Sequence, residues 1–211
     1  MTAEIINDCE QRVKKIYETF DASHDWQHIE RVRRNAWMIL QEEEGDALVV
    51  ELAVLLHDVS DPKYKKEGED PETVILEQLS LSRLQKKLIQ DTIRSVSFKG
   101  GNGEPAVTVE SRIVQDADRL DAIGAIGIAR AFSYGGAKGR QLYDWNEVPR
   151  TSMTEQQYRS KPVSSVTHFY EKLLLLKDQM TTEAGKRIAE ERHQFMLSFL
   201  QQLKKETDGN A

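Results

Sequence analysis

The sequence predicts an all-α, single-domain bundle, and three features predict it. Apolar residues recur at steps of three and four along most of the chain. Helix-capping residues punctuate those stretches, and no stretch shows the strict alternation of a half-buried strand.

Ile5, Ile6, Cys9, Val13, Ile16, Tyr17 and Phe20 give a first helix one apolar stripe. Ile29, Val32, Ala36, Ile39 and Leu40 make a second, starting near Asp25 and stopping at the acidic run 42–46. There Gly45 is expected in the left-handed position after the helix, and Asp46 as the cap of the next. The third helix carries Val50, Val54 and His57 on one face and gives way to a charged loop from Val59 to Asp70. Asp70-Pro71 has the form of an N-cap followed by proline in the first turn, opening a short helix toward Leu81. Ser82 and Gln85 fit a capping box for a fifth helix with Leu84, Leu88, Thr92 and Ile93, and the glycine-rich run 98–105 breaks it.

From Pro105 to Tyr134 one long helix is expected through Ile113, Ala117, Leu120, Gly124 and Ile128. Gly124 and Gly127 within it offer a place for another helix to approach closely. The run 134–140 closes that helix, and an irregular stretch with one turn after Thr154 leads to Pro162. Two final helices follow, one through Val166, Phe169, Leu173, Leu176 and Met180, the other through Ile188, Phe195, Phe199 and Leu203.

At 211 residues the chain can bury a substantial core. Its 29 basic against 35 acidic residues leave a formal charge of −6, which argues against a broad nucleic-acid or membrane surface while allowing local basic clusters to hold a small anion. One cysteine, Cys9, allows no intrachain disulfide, and the acidic N-terminus lacks the form of a signal peptide. The four leucines 173–176 are flanked by charges and too few to span a bilayer. A cytoplasmic protein is expected.

The informative polar residues stand on or beside these apolar faces. Of five histidines, His28 lies near the start of the second helix and His57 pairs with Asp58 at the end of the third. Asp116, Asp118 and Asp121 lie in the long helix, the last two on one face. A histidine, a His-Asp pair and a later aspartate on separate helices can converge, and two imidazoles with two carboxylates suit a divalent ion. The plainer alternative is that His57 and Asp58 only cap helix ends.

The order of His28, the run Leu55-Leu56-His57-Asp58, and Asp116-Ala117-Asp118-Arg119-Leu120-Asp121 resembles the HD-domain metal-dependent phosphohydrolases. The resemblance covers residues 21–134 and extends, through the runs 24–32 and 168–176, to a bacterial single-domain branch similar to nucleotide pyrophosphohydrolases. It implies one catalytic domain over 1–205, with a core of 21–134, completing helices at 163–205 and a frayed tail at 206–211. It implies His28, His57, Asp58 and Asp118 as ligands of one divalent ion, manganese first, with magnesium, cobalt, nickel or zinc as alternatives. Members with a two-iron centre carry extra histidines after the HD pair; none occurs here from Val59 to Ala117, which favours a single-metal hydrolytic site.

The family's water-handling acid falls on Asp61, an aspartate where several relatives have glutamate, and Asp121 is the second candidate. Arg31 and Lys63 are the leading cations for substrate phosphates, with His24 and Lys172 as further contacts. Lys65, Arg119 and Arg192 rank behind them, His168 and His193 read as packed histidines, and Trp26 as packing or a base-stacking ring. The implied reaction hydrolyses a nucleoside or deoxynucleoside triphosphate to monophosphate and pyrophosphate. A 5′-nucleotidase acting on monophosphates and a non-catalytic nucleotide sensor are the alternatives. A small phosphate substrate is thus the expected partner, with oligomeric state open and a homodimer one option.

Overall fold

The computed structural model describes residues 2–21, 24–61, 64–66, 68–96, 104–150 and 163–209. Among them are nine α-helices and no strand. None of these helices is long and apolar enough to cross a membrane. The chain divides into two compact units, 1–97 with 103–118, and 98–102 with 119–211.

The N-terminal unit is built from α1 (Thr2–Tyr17), α2 (Trp26–Leu40), α3 (Ala47–Leu56), α4 (Pro71–Gln78), α5 (Arg83–Val96) and most of α6 (Val109–Asp121). α3 is its axis and packs against α1, α2 and α5. Leu52 to Leu56 are all buried, so the second half of this helix is apolar and enclosed on every side where the sequence showed one face. Cys9, Val13 and Tyr17 of α1 and Ile29, Val32, Ala36 and Ile39 of α2 form the expected stripes. Arg33 ties three helices together, pairing with Glu10 and Glu51. Buried Asn35 donates its side-chain N–H to the Ala117 carbonyl at 3.0 Å, fastening α2 to α6. Gln115 donates to the Ser95 carbonyl, fastening α6 to α5.

The expected caps form at Asp46 and Asp70, Asp25 caps α2 as well, and Ser82 and Gln85 close the capping box in both directions. Gly45 departs from expectation because its backbone is not left-handed. A Cβ there would stand 2.8 Å from Ile113 Cδ1, so this glycine serves close packing against α6.

The C-terminal unit holds the end of α6, α7 (Gly124–Ala137), α8 (Ser165–Glu171), two 3₁₀ turns (Leu173–Leu175 and Lys177–Gln179) and α9 (Glu183–Thr207). The long helix expected over 105–134 is therefore two. α6 tightens at its end, with Ala122 and Ile123 donating to carbonyls three residues back, and Gly124 turns the chain at φ +73°. The carbonyls exposed by the break are taken by distant side chains, Leu120 by Arg192 and Asp121 by Arg130. Another helix does approach at Gly124, where a Cβ would meet the Arg192 side chain at 3.0 Å; Gly127 instead abuts the Ala122 carbonyl of its own turn.

The helix expected over 163–180 ends at Glu171 and continues as 3₁₀ turns. Their three-residue repeat keeps Leu173 and Leu176 buried on one side, which reads as a helical stripe. In α9 the buried stripe runs through Ala189, Met196 and Leu200, leaving Phe195 54% exposed, while Phe199 packs on Phe132 and Phe169. α9 also extends to Thr207, two residues past the helix end the sequence implied. The turn expected after Thr154 lies outside the described residues.

Candidate metal centre

Three helices of the N-terminal unit converge on one point. Asp25 caps α2 by accepting from the His28 backbone N–H at 3.0 Å, which fixes the first turn and with it the His28 side chain. His57 is the residue that closes α3, and its Nδ1 stands 2.8 Å from the Val54 carbonyl, to which it donates. That bond leaves Nε2 as the atom facing Asp58, at 3.3 Å. Asp118 arrives from α6, one residue beyond the carbonyl that Asn35 holds.

The ligand atoms of His28, His57 and Asp58 all lie within 4.8 Å of one another. His28 Nε2 is 3.4 Å from Asp58 Oδ2 and 3.6 Å from Asp118 Oδ1, and His57 Nε2 is 3.8 Å from Asp118 Oδ1. A divalent ion bonded at about 2.0–2.2 Å spreads its ligand atoms roughly 3–4 Å apart, a spacing that His28, His57 and Asp58 suit, with Asp118 close to both imidazoles. The two imidazoles are 1% and 2% exposed, the carboxylates of Asp58 and Asp118 17% and 30%, so solvent and ligands reach the cluster from the carboxylate side.

The electrostatics favour a cation. His57 Nε2 is buried without a hydrogen bond of good geometry among the described residues. Burial alone would lower the basicity of this imidazole, yet Asp58 and then Asp118 reverse that and raise its pKa to about 9. Burial likewise opposes ionisation of Asp58, and the facing His57 and His28 hold it well below the usual carboxylate range. Two carboxylates therefore gather positive charge into a buried pocket, and a divalent ion supplies that charge with ligand geometry that a proton lacks. Beneath the pair, Tyr17 donates to the Leu55 carbonyl at 3.1 Å, and its burial raises its pKa well above the usual phenol value.

Asp61 lies in the turn after Asp58, its backbone N–H donating to the Asp58 carbonyl at 3.0 Å, and its side chain is half-buried. Arg31 is half-buried on α2, one turn beyond His28. Lys63 lies outside the described residues. The His24 ring stands 5.8 Å from that of His28, and its Nδ1 meets the Tyr64 hydroxyl at 3.1 Å. That hydroxyl donates to Asp21 at 2.8 Å, and the Tyr64 ring stacks on Phe20. Tyr64 escaped the sequence reading; an aromatic in an otherwise charged loop was the signal available. Trp26 is engaged in packing, with Lys14 over its ring and its N–H donated to Glu30. In the C-terminal unit, buried Asp121 pairs with Arg130 at 2.7 Å, and half-buried Lys172 ends α8.

An all-α unit presenting two histidines and two aspartates from three helices has the form of an HD domain, and the HD domain family model matches residues 25–123. The chain belongs to the HD-domain superfamily and has the fold of its hydrolases. It is 39% identical to YpgQ of Bacillus subtilis over 93% of this chain and 91% of YpgQ. A crystal structure of YpgQ in complex with ADP superposes with a TM-score of 0.74 at 35% identity, covering 96% of this chain and all of that one. A Lactobacillus plantarum protein gives a TM-score of 0.87 at 34% identity over 97% of both chains. A Bacillus thuringiensis protein described as an HD-superfamily hydrolase gives 0.77 at 40% identity over 99% of both.

Proposed function

We propose that this protein is a metal-dependent phosphohydrolase that converts nucleoside or deoxynucleoside triphosphates to monophosphates and pyrophosphate. The observation that carries the reading is the convergence of His28, His57, Asp58 and Asp118. The ADP held by YpgQ supports a nucleotide as substrate. A divalent ion there, manganese first on the mixed nitrogen and oxygen donor set, would supply charge neutralisation at a phosphate oxygen and a water of lowered pKa.

The chain's own residues do the rest. The Val54 carbonyl fixes the His57 tautomer so that its Nε2 lone pair faces the cluster. Asp58 and Asp118 bring two negative charges, leaving the loaded cluster near neutral and open to an anionic substrate. Asp61, held in the turn that follows Asp58, orients the attacking water and accepts its proton. We assign this task to Asp61 ahead of Asp121, whose carboxylate is already engaged by Arg130. Arg31 and Lys63 neutralise the substrate phosphates.

The test is to strip metal with a chelator, restore manganese, magnesium, cobalt or zinc, and measure pyrophosphate and phosphate separately from nucleoside tri- and monophosphates. Pyrophosphate from triphosphates, absent in His57→Ala and Asp118→Ala, is the expected result. Phosphate from monophosphates alone would replace this reading by a 5′-nucleotidase. No turnover with stoichiometric bound metal would replace it by a non-catalytic nucleotide sensor.

A further inference from the structure

The loop that follows the His57-Asp58 pair is clasped to the segment that leads into His28. Asp61 is pinned from both sides. Its backbone N–H donates to the Asp58 carbonyl at 3.0 Å, and its own carbonyl accepts from the N–H groups of Tyr64 at 2.9 Å and Lys65 at 3.1 Å. The Tyr64 side chain then reaches the segment between α1 and α2. Its ring stacks on Phe20, with centroids 3.9 Å apart and planes 16° from parallel, and its hydroxyl meets Asp21 Oδ2 at 2.8 Å and His24 Nδ1 at 3.1 Å. His24 in turn stands beside His28. Both stacked rings are half-buried, so the clasp lies at the rim of the N-terminal unit and outside its core.

The Tyr64 hydroxyl also sets the state of His24. A tyrosine has one O–H to donate, and here it goes to Asp21. The bond to His24 therefore runs the other way, from the imidazole Nδ1–H to the phenolic oxygen. A neutral His24 then carries its lone pair on Nε2, the same tautomer that the Val54 carbonyl imposes on His57. The tautomer is thus a signature of the clasp, readable without any reaction.

We propose that Tyr64 is a positioning residue for the hydrolysis proposed above: its clasp on Phe20, Asp21 and His24 holds Asp61 in place beside the metal cluster. The effect on turnover rests on that reading, the clasp on the geometry alone. Asp61 is anchored at one end by Asp58, itself a candidate ligand, and at the other by Tyr64. Releasing Tyr64 loosens the second anchor, and a carboxylate that has to stand within hydrogen-bond reach of the attacking water then spends less time there. Such a loss falls on the chemical step, so it lowers kcat and spares both KM and metal affinity.

The test is Tyr64→Phe in the full-length protein, which removes the hydroxyl and keeps the stacking ring. In chelator-treated protein, hydrogen exchange at the Tyr64 and Lys65 amides should quicken about tenfold, and the His24 ring should lose its fixed Nδ1–H tautomer by ¹H–¹⁵N NMR. With manganese restored and a deoxynucleoside triphosphate as substrate, kcat should fall about tenfold at unchanged KM and metal affinity. In the residual rate of Asp61→Asn the same substitution should cost much less, because Tyr64 acts through that carboxylate. A full additive cost in Asp61→Asn, or an unchanged kcat once exchange shows the clasp open, would overturn the proposal and leave Tyr64 as loop packing. Unchanged exchange together with an unchanged His24 tautomer would overturn the clasp itself. Absence of turnover in the wild-type protein would remove the hydrolysis and with it this role, while exchange and NMR would still decide whether the clasp exists.

Discussion

His57 shows how much a single residue's surroundings decide. Its Nδ1 is committed to the Val54 carbonyl and its Nε2 faces two carboxylates, so the side chain is oriented as a metal ligand would need to be. Removing an outer partner of a metal ligand costs about 10–100-fold in affinity, and removing the ligand itself costs at least as much. His57→Ala is therefore expected to lose bound divalent metal by about two orders of magnitude or more, measured by chelator competition and elemental analysis; wild-type affinity would take His57 out of the ligand set. Asn35 acts one step further out. Asn35→Ala removes the buried hydrogen bond to the Ala117 carbonyl, for which we expect about 0.5–1.5 kcal/mol of destabilisation in urea unfolding. An unchanged midpoint would mean that water replaces the amide. The four candidate ligands could be named from sequence because their types and order are distinctive. Asn35 was not, since a lone amide in a helix carries no sign of the carbonyl it will meet.

At the scale of elements, the sequence showed where helices begin better than where they end. Caps at Asp46, Asp70 and Ser82 act within three residues of themselves and could be read directly. The break after Asp121 could not, because the groups that stabilise it, Arg130 and Arg192, arrive from other turns of the fold. Gly124 was visible as a glycine, but whether it served packing or the turn depended on those partners. Both of its constraints should show in Gly124→Ala, which forces a Cβ into left-handed backbone and against Arg192. We expect it to cost more than Gly139→Ala, where the space is open and only the backbone cost of about 1–2 kcal/mol applies. Equal losses in thermal or chemical unfolding would remove the Arg192 contact from the argument.

α8 makes a pH prediction. His168 stays neutral in the fold down to about 3, while the unfolded chain takes up its proton near 6.5. The folded pKa is the lower one, so this residue's contribution to stability is complete above the unfolded value and is lost progressively as pH falls from 6.5 toward 3. Burial is the main cause, Lys172, Arg140 and Arg150 add to it, and Glu171 opposes it. His168→Gln should flatten the slope of unfolding free energy between pH 7 and about 4.5; an unaltered slope would place the responsible proton elsewhere.

For the molecule as a whole, metal binding links the site to global stability. An ion that binds only the folded chain, at 100 times its dissociation constant, adds about 2.7 kcal/mol. Hydrogen exchange should show where that energy is felt: amides of α2, α3 and α6, which carry the four side chains assigned to the ion, should gain protection, and those of α9 should not. Uniform protection would mean that the two units open together. Composition had indicated a core-forming chain, and the helical unit around α3 agrees with it. The division after Asp118, inside a helix, left no mark in composition, since nothing in the run 116–121 distinguishes a boundary from a helix interior.

The burial of the second half of α3 on every side has a kinetic consequence. A helix enclosed by α1, α2 and α5 has no room to swing, so His57 and Asp58 at its end are held in place in the metal-free protein as well. An entering ion then has nothing to rearrange. Its association should follow a single exponential whose rate rises linearly with ion concentration, without the plateau that a slow reshaping step would impose.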